Sequence, residues 1–194
     1  MHTPGGARFY FDYVDPLSYL VDREIEAAVA GADGMEIVLV PLELRPPPEP
    51  LLDPDGTWWR ERWKTATTLA AGSDATHMTE PALLPWTRKA HELVAHSRSV
   101  DLELRAHRAV FRAVFAEGRD IGRVDVLVDL ARELGLDPTE AKAVLDVDRY
   151  TEDVASRRSA ALEVAGRGPP VLVHGDQTLR GFHNRDAVRT FLLR

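Results

Sequence analysis

The most constraining feature of the sequence is a pair of apolar stretches near its start, separated by one amphipathic segment. Residues 8–14 are rich in alternating aromatic side chains, which predicts a strand, and residues 35–44 form a nearly continuous apolar run. Between them, Asp15-Pro16 supplies a good N-cap followed by the residue favoured at the first helical position. Strand, helix and buried strand together predict a βαβ unit with parallel strands.

A block of helices is predicted after the proline-rich connection at residues 45–54. Apolar residues then recur at helical spacing in successive segments, and the first of these helix faces begins at Trp86. Asp137-Pro138 predicts the start of a further helix, and the pattern of residues 148–165 predicts one more amphipathic helix.

The chain then returns to strands. Residues 171–174 and 178–181 flank Gly175-Asp176, a pair that favours a tight hairpin turn, and Asn184 is a good N-cap for a final helix. The order βαβ, helices, ββα predicts an α/β fold in which a helical block lies between the two halves of a small mixed sheet.

Composition narrows the classes of function. The chain has no cysteine, which excludes disulfides, thiolate nucleophiles, cysteine–metal sites and dithiol exchange by this chain. A formal net charge of −7 without a dense Lys/Arg stripe argues against a nucleic-acid partner. No apolar run approaches the roughly 20 residues of a membrane span, so no membrane partner is predicted. The N-terminus lacks the pattern of a signal peptide, and we expect a cytoplasmic protein.

Two segments resemble the DsbA family. Residues 12–19, DYVDPLSY, resemble the family motif D-F-V-C-P-W-C-Y, with Asp15 at the position of the first cysteine and Ser18 at that of the second. Residues 168–173, GPPVLV, resemble the family segment G-V-P-T-F-V, which implies a cis peptide bond before Pro170.

The helical block adds a further resemblance. Residues 84–91, LPWTRKAH, are similar to the P-N-T-R-x-A-H stretch of FrnE-like proteins, a cytoplasmic branch of the family, and residues 115–121, FAEGRDI, resemble their F-x-E-G-x-D-I. The related 2-hydroxychromene-2-carboxylate isomerases and kappa-class glutathione transferases carry S-P-[YF]-S where this chain has D-P-L-S at residues 15–18. In those relatives the first serine stabilises a bound glutathione thiolate.

The resemblance implies a fold and an organisation. It implies a thioredoxin-like fold with a helical insertion domain between the βαβ and ββα halves. The thioredoxin-like domain would comprise residues 1–52 and 148–194, and the inserted helical domain residues 53–147. Relatives that pair through the helical block imply a homodimer.

An aspartate at residue 15 changes the chemistry that the relatives imply. A serine hydroxyl donates a hydrogen bond to a thiolate, whereas an ionised aspartate only accepts. Because a helix N-terminus favours a charged carboxylate, Asp15 disfavours glutathione or another small thiol as ligand, although Ser18 retains a hydroxyl donor. No cofactor is identified. Asp15 is either a general base, or the binder of a cationic or hydroxyl-bearing ligand, or only a helix cap.

The candidate catalytic residues are therefore Asp15 and Ser18. The candidate substrate-binding residues lie in the same motif, on one predicted helix face and at the proline turn: Tyr13, Pro16, Leu17, Arg88, His91, Pro169 and Pro170. The simpler interpretation of each is packing or solvation. His91 and His96 are five residues apart and do not share a helix face, so no metal site is predicted.

An aromatic cluster is predicted near the start of the helical block, where Trp58, Trp59 and Trp63 recur at helical spacing. It either packs in the core or forms the wall of a ligand cleft or a dimer surface.

Two functions follow. The first is a small-molecule enzyme of the isomerase or transferase type that uses a cleft at Asp15 and Pro170. The second is a non-catalytic ligand-binding or interaction protein that retains the fold. Turnover that disappears in Asp15→Ala would distinguish them.

Overall fold

The predicted order of elements is confirmed by the computed structural model of the protein, which describes residues 6–31, 35–71, 78–166 and 168–193. The first five residues, part of the segment used to predict that the chain is not exported, lie outside the described residues. In chain order the elements are β1 (Ala7–Phe11), α1 (Pro16–Val29), β2 (Ile37–Pro41), α2 (Thr57–Ala70), α3 (Arg88–Ser97), α4 (Glu103–Phe115), α5 (Val124–Glu133), α6 (Pro138–Asp146), α7 (Thr151–Ala165), β3 (Val171–His174), β4 (Gln177–Arg180) and α8 (Arg185–Leu192).

The four strands form one mixed sheet in the order β2-β1-β3-β4. β1 pairs parallel to β2, with Phe9 opposite Leu39, and antiparallel to β3, with Phe9 opposite Leu172. β1 is shorter than predicted because the chain turns immediately after Phe11, where the Asp15 N–H donates to the Asp12 carbonyl at 3.1 Å. This turn brings the polar residues that follow β1 to the start of α1.

Three predicted N-caps are confirmed. The side chains of Asp15, Asp137 and Asn184 each accept hydrogen bonds from backbone N–H groups in the first turns of α1, α6 and α8. The first turn of a helix has backbone donors without intrahelical partners, and these short polar side chains satisfy some of them.

Two helix starts differ from the prediction. α3 begins at Arg88 and not at Trp86, whose indole N–H donates to the Glu49 carbonyl at 2.9 Å and ties the side chain to the proline-rich connection. α7 begins at Thr151, because Asp148 has a φ of 55°, a left-handed conformation that interrupts a helix.

One hydrophobic core joins the sheet to the helical block. Phe9 and Phe11 on one face of β1 belong to the same cluster of buried side chains as Phe111 of α4. On the opposite face of the sheet, Tyr10 packs in a smaller cluster with Ala161 of α7. Alternating residues of β1 therefore bury both faces of the sheet.

The predicted boundaries at residues 52 and 147 stay a prediction, since the core is continuous between the helices α2–α6 and the sheet.

The three tryptophans of the predicted aromatic cluster differ in how far they are buried. Trp59 is 1% exposed and stacks on Trp63 at 5.9 Å between ring centroids, and Trp63 stacks on Phe115 at 6.2 Å. These two indoles therefore pack in the core. Trp58 is 45% exposed and lies beside the candidate site described below.

We expect Phe111→Ala to lower the free energy of unfolding by about 3–5 kcal/mol, because the ring contacts aromatic side chains from β1, α1 and α4. Leu162→Ala, at a leucine that is 42% exposed, should change it by less than about 0.5 kcal/mol. Urea denaturation of both variants is the measurement. Similar losses in the two would contradict the shared core.

Candidate functional site

Asp15 lies at the start of α1 with a fully buried side chain. Its Oδ2 accepts hydrogen bonds from the Ser18 N–H at 3.0 Å and from the Ser18 hydroxyl at 2.5 Å. Its Oδ1 accepts a longer bond from the Leu17 N–H at 3.4 Å. The donors at this helix N-terminus, including the Ser18 hydroxyl, are therefore directed at Asp15.

A cation from the helical block neutralises this carboxylate. Arg62 of α2 binds Asp15 through two parallel bonds, Nε to Oδ1 at 2.5 Å and Nη2 to Oδ2 at 3.0 Å. The same Nη2 donates to the carbonyl oxygen of Pro169 at 2.5 Å. Paired, two-pronged bonds of this kind are the strongest geometry between arginine and a carboxylate.

Arg62 thus connects three parts of the site. It bridges the start of α1, helix α2 and the turn at Pro169-Pro170, whose peptide bond is cis. The side chain is 20% exposed, and its guanidinium carbon lies 5.3 Å from the ring centroid of Trp58, within cation–π range. Pro16 and Leu17 are buried in the first turn of α1, and Pro170 is buried opposite.

Tyr13 lies in a different polar row. Its hydroxyl is 3.1 Å from Nδ1 of His107, and Nε2 of His107 is 3.2 Å from Oδ1 of Asp22. Burial raises the pKa of Tyr13 well above the ordinary value of a tyrosine, with a smaller contribution from the charge of Asp22. The phenol therefore keeps its proton, and Tyr13, His107 and Asp22 form one buried polar row.

Arg88 and His91 belong to a second polar cluster at the end of β2. Arg88 Nε donates to both carboxylate oxygens of Glu43, at 3.0 and 2.9 Å. His91 Nε2 is 3.6 Å from Oδ1 of Asp12, too far for a hydrogen bond, and neither atom has a hydrogen-bond partner among the described residues. The other oxygen of Asp12 accepts the Leu44 N–H at 2.6 Å.

A pocket of about 530 Å³ opens beside Arg88. Three of its walls are large apolar side chains that are 40–45% exposed, namely Leu51, Leu83 and Trp86. Neither Asp15 nor Pro170 lines this pocket. The structure therefore brings together Asp15, Ser18 and Pro169, and places Arg88 at a separate concave surface.

Sequence reasoning missed the cation of the site. A buried aspartate needs a positive partner, but the chain has 24 lysines and arginines, and nothing in the spacing distinguishes Arg62 from the others. Likewise no motif indicated His107 or Asp22, because their contacts are made between distant segments.

In the part of the chain that the structure describes, no group of three histidine or acidic side chains is placed to hold a metal ion. No helix of that part is long and apolar enough to span a membrane.

Comparison with known proteins gives one family match. Residues 8–192 match the model of the DSBA-like thioredoxin domain. The uncharacterized protein YwbO of Bacillus subtilis is 30% identical over 183 residues, which cover 92% of this chain and 91% of YwbO.

Two solved structures are similar over nearly the whole chain. A probable DsbA oxidoreductase, SCO1869 of Streptomyces coelicolor, superposes with a TM-score of 0.80 at 21% identity, covering 96% of this chain and 87% of that one. A 2-hydroxychromene-2-carboxylate isomerase superposes with a TM-score of 0.74 at 22% identity, covering 96% and 91%. The predicted thioredoxin-like fold is confirmed.

We expect Arg62→Ala to lower the free energy of unfolding by about 3–5 kcal/mol, because it leaves the buried Asp15 carboxylate without its cation. Arg60→Ala is the matched control: it lies on the same helix, and its ion pair with Asp55 is exposed, so the change should be about 0–1 kcal/mol. Denaturant unfolding of both variants measures the two changes in the free energy of unfolding. Equal effects would mean that the Asp15–Arg62 pair contributes nothing specific.

Tyr13 should make the protein sensitive to alkali. A folded-state pKa raised above the unfolded value of about 10 means that the stabilisation is complete below that pH and is lost as the pH rises above it, by at most about 1.4 kcal/mol per pH unit. We expect Tyr13→Phe to show a shallower loss than the wild type between about pH 8 and about pH 11 in urea titrations. Tyr19, whose pKa is also raised by burial, is unchanged in both proteins, so parallel curves would contradict the assignment.

Proposed function

This chain belongs to the DSBA-like thioredoxin domain family but has no cysteine, and we propose that it is a non-catalytic ligand-binding member of that family. Its ligand is a small, largely apolar molecule, and the binding site is the pocket at Trp86 and Arg88.

The observation that carries this proposal is the position of Arg62. A general base at residue 15 needs a carboxylate oxygen free to accept a proton, yet both oxygens of Asp15 are bound by Arg62 and by groups of Ser18 or Leu17. The carbonyl of Pro169 is bound by the same guanidinium. The acceptors of the predicted cleft are therefore satisfied within the chain, which favours a binding function elsewhere.

The same geometry disfavours a thiol ligand, for a reason other than charge. Because Arg62 neutralises Asp15, repulsion between two anions is weaker than the sequence alone suggested. A thiolate is stabilised by hydrogen-bond donors, however, and the Ser18 N–H and hydroxyl are already committed to Asp15. Glutathione would have to displace the carboxylate in order to reach them.

The pocket at Arg88 has the character of a small-molecule site. Its volume is within the usual range for such pockets, and exposed apolar side chains supply most of its surface. The Trp86 ring is anchored by its N–H to Glu49, so it forms a fixed wall. Arg88 is held by Glu43 and Lys89 by Asp148, so the basic groups at the rim are paired. A molecule with an apolar or aromatic body and little net charge fits this lining.

An isomerase or transferase acting at Asp15 and Ser18 is the competing hypothesis. It requires Arg62 to leave both Asp15 and Pro169 when a substrate binds. Arg88 and His91 would then contribute only if the substrate extended to the second polar cluster. A homodimer and a cytoplasmic location stay predictions.

Fluorescence titration with N-phenyl-1-naphthylamine, an uncharged dye with an apolar aromatic body, tests the pocket in the full chain. We expect saturable binding of one dye per chain, weakened at least about tenfold in Leu83→Glu, since a charge in the apolar wall opposes burial of the dye. Leu162→Glu makes the same change at a leucine of similar exposure outside the pocket and should leave the affinity unchanged.

Reduced glutathione supplies the opposing measurement. We expect it not to raise the melting temperature of the wild type, because a ligand of the native state would stabilise it. A rise that is lost in Ser18→Ala, together with dye binding that is equal in both leucine variants, would overturn the proposal in favour of the enzyme hypothesis.

A further inference from the structure

A second concave surface lies between α1, α4 and α5, distinct from the pocket at Arg88. It encloses about 490 Å³ and is unusually rich in arginine for a chain of net charge −7. Arg105, Arg108 and Arg112 of α4 line it, and Arg23 of α1 faces them. We refer to it as the arginine groove.

The arginines of α4 follow one another on a single helix face. Arg105, Arg108 and Arg112 are separated by three and then four residues, which places each above the last. Like charges at these spacings destabilise a helix by a few tenths of a kcal/mol per pair, about 0.2–0.5. Such a row is stabilised when anions face it.

The acidic residues of the groove only partly meet this need. Glu26 pairs with Arg23 and Arg108, each at 3.2 Å, and Glu117 pairs with Arg112 at 3.0 Å. Two further carboxylates are engaged elsewhere: Glu133 binds Arg119, and Asp22, at 4% side-chain exposure, is bonded to His107.

Two donor groups are left over. Arg105 is exposed and makes no ion pair with any described residue. Nε of Arg108 is buried and has no acceptor in the described part of the chain. A buried donor without an acceptor costs about 1–3 kcal/mol, so a shift of the Arg108 side chain that brings Nε to an oxygen of a bound ligand would offset that cost.

We propose that the arginine groove binds a small organic anion bearing more than one phosphate or carboxylate group. Guanidinium groups recognise both chemistries through planar, two-pronged hydrogen bonds, and Arg105 and Arg108 supply the free donors. The four acidic side chains around the groove limit the ligand to a compact molecule, because an extended polyanion such as a nucleic acid would meet them.

Isothermal titration of the full chain with pyrophosphate and, separately, with citrate tests this proposal. We expect saturable 1:1 binding of at least one of the two, weakened about tenfold or more in Arg105→Ala and in Arg108→Ala. Arg189→Ala, at an exposed arginine of α8 outside the groove, is the matched control and should bind as the wild type does. Pyrophosphate alone would identify a phosphate ligand, and citrate alone a carboxylate ligand.

Three results would overturn the proposal. These are no saturable binding of either probe, equal weakening in Arg105→Ala and Arg189→Ala, and unchanged binding in both groove variants. Equal weakening would indicate a general charge effect, which salt would screen at every exposed arginine. Circular dichroism of each variant establishes that it is folded, and Arg105→Ala removes an exposed side chain that has no ion pair to any residue the structure describes.

Discussion

The bidentate pair of Asp15 and Arg62 is the interaction on which the arrangement of this molecule depends. It lies where α2 of the helical block, the start of α1 and the turn at Pro169-Pro170 meet. A buried carboxylate without a cation is strongly destabilising, so the aspartate and the arginine have to be considered as one unit. In the DsbA-family motif this position holds a reactive cysteine. In this chain it holds an aspartate in an ion pair, and both carboxylate oxygens are bound by groups of the same chain.

Other buried polar contacts repeat this design between the same two parts of the molecule. Tyr13 and Asp22 of the sheet half hold His107 of α4, and Glu43 after β2 holds Arg88 of α3. Apolar burial supplies most of the driving force for docking the helical block, but it tolerates many relative orientations. Directional bonds select one of them, because each misplaced helix would leave a buried polar group without a partner.

The sequence predicts the fold far better than the site. Helix caps such as Asp137 and the hairpin turn at Gly175 are local signals, and they placed elements to within a few residues. Trp86 shows where local reasoning fails: its apolar character suggested a helix face, whereas a bond to Glu49 holds it outside the helix. The ion pair of Arg62 with Asp15 was not predicted at all. The two residues are 47 positions apart, and a contact at that separation produces no periodic pattern in the sequence.

The proposed ligand sites lie away from Asp15 because the hydrogen-bonding groups around that residue are already bound within the chain. A surface binds a ligand when it offers apolar area or hydrogen-bonding groups that the chain itself does not satisfy. Around Asp15 those groups are committed. Leu83, by contrast, remains exposed in one concave region, and in another Arg105 makes no ion pair with the part of the chain that the structure describes. The first region is lined mainly by loop residues beside α3, and the second by residues of α1, α4 and α5. In the proposed function, a thioredoxin-like chain without a thiol therefore binds its ligands at concave surfaces beside the helices and not at the start of α1.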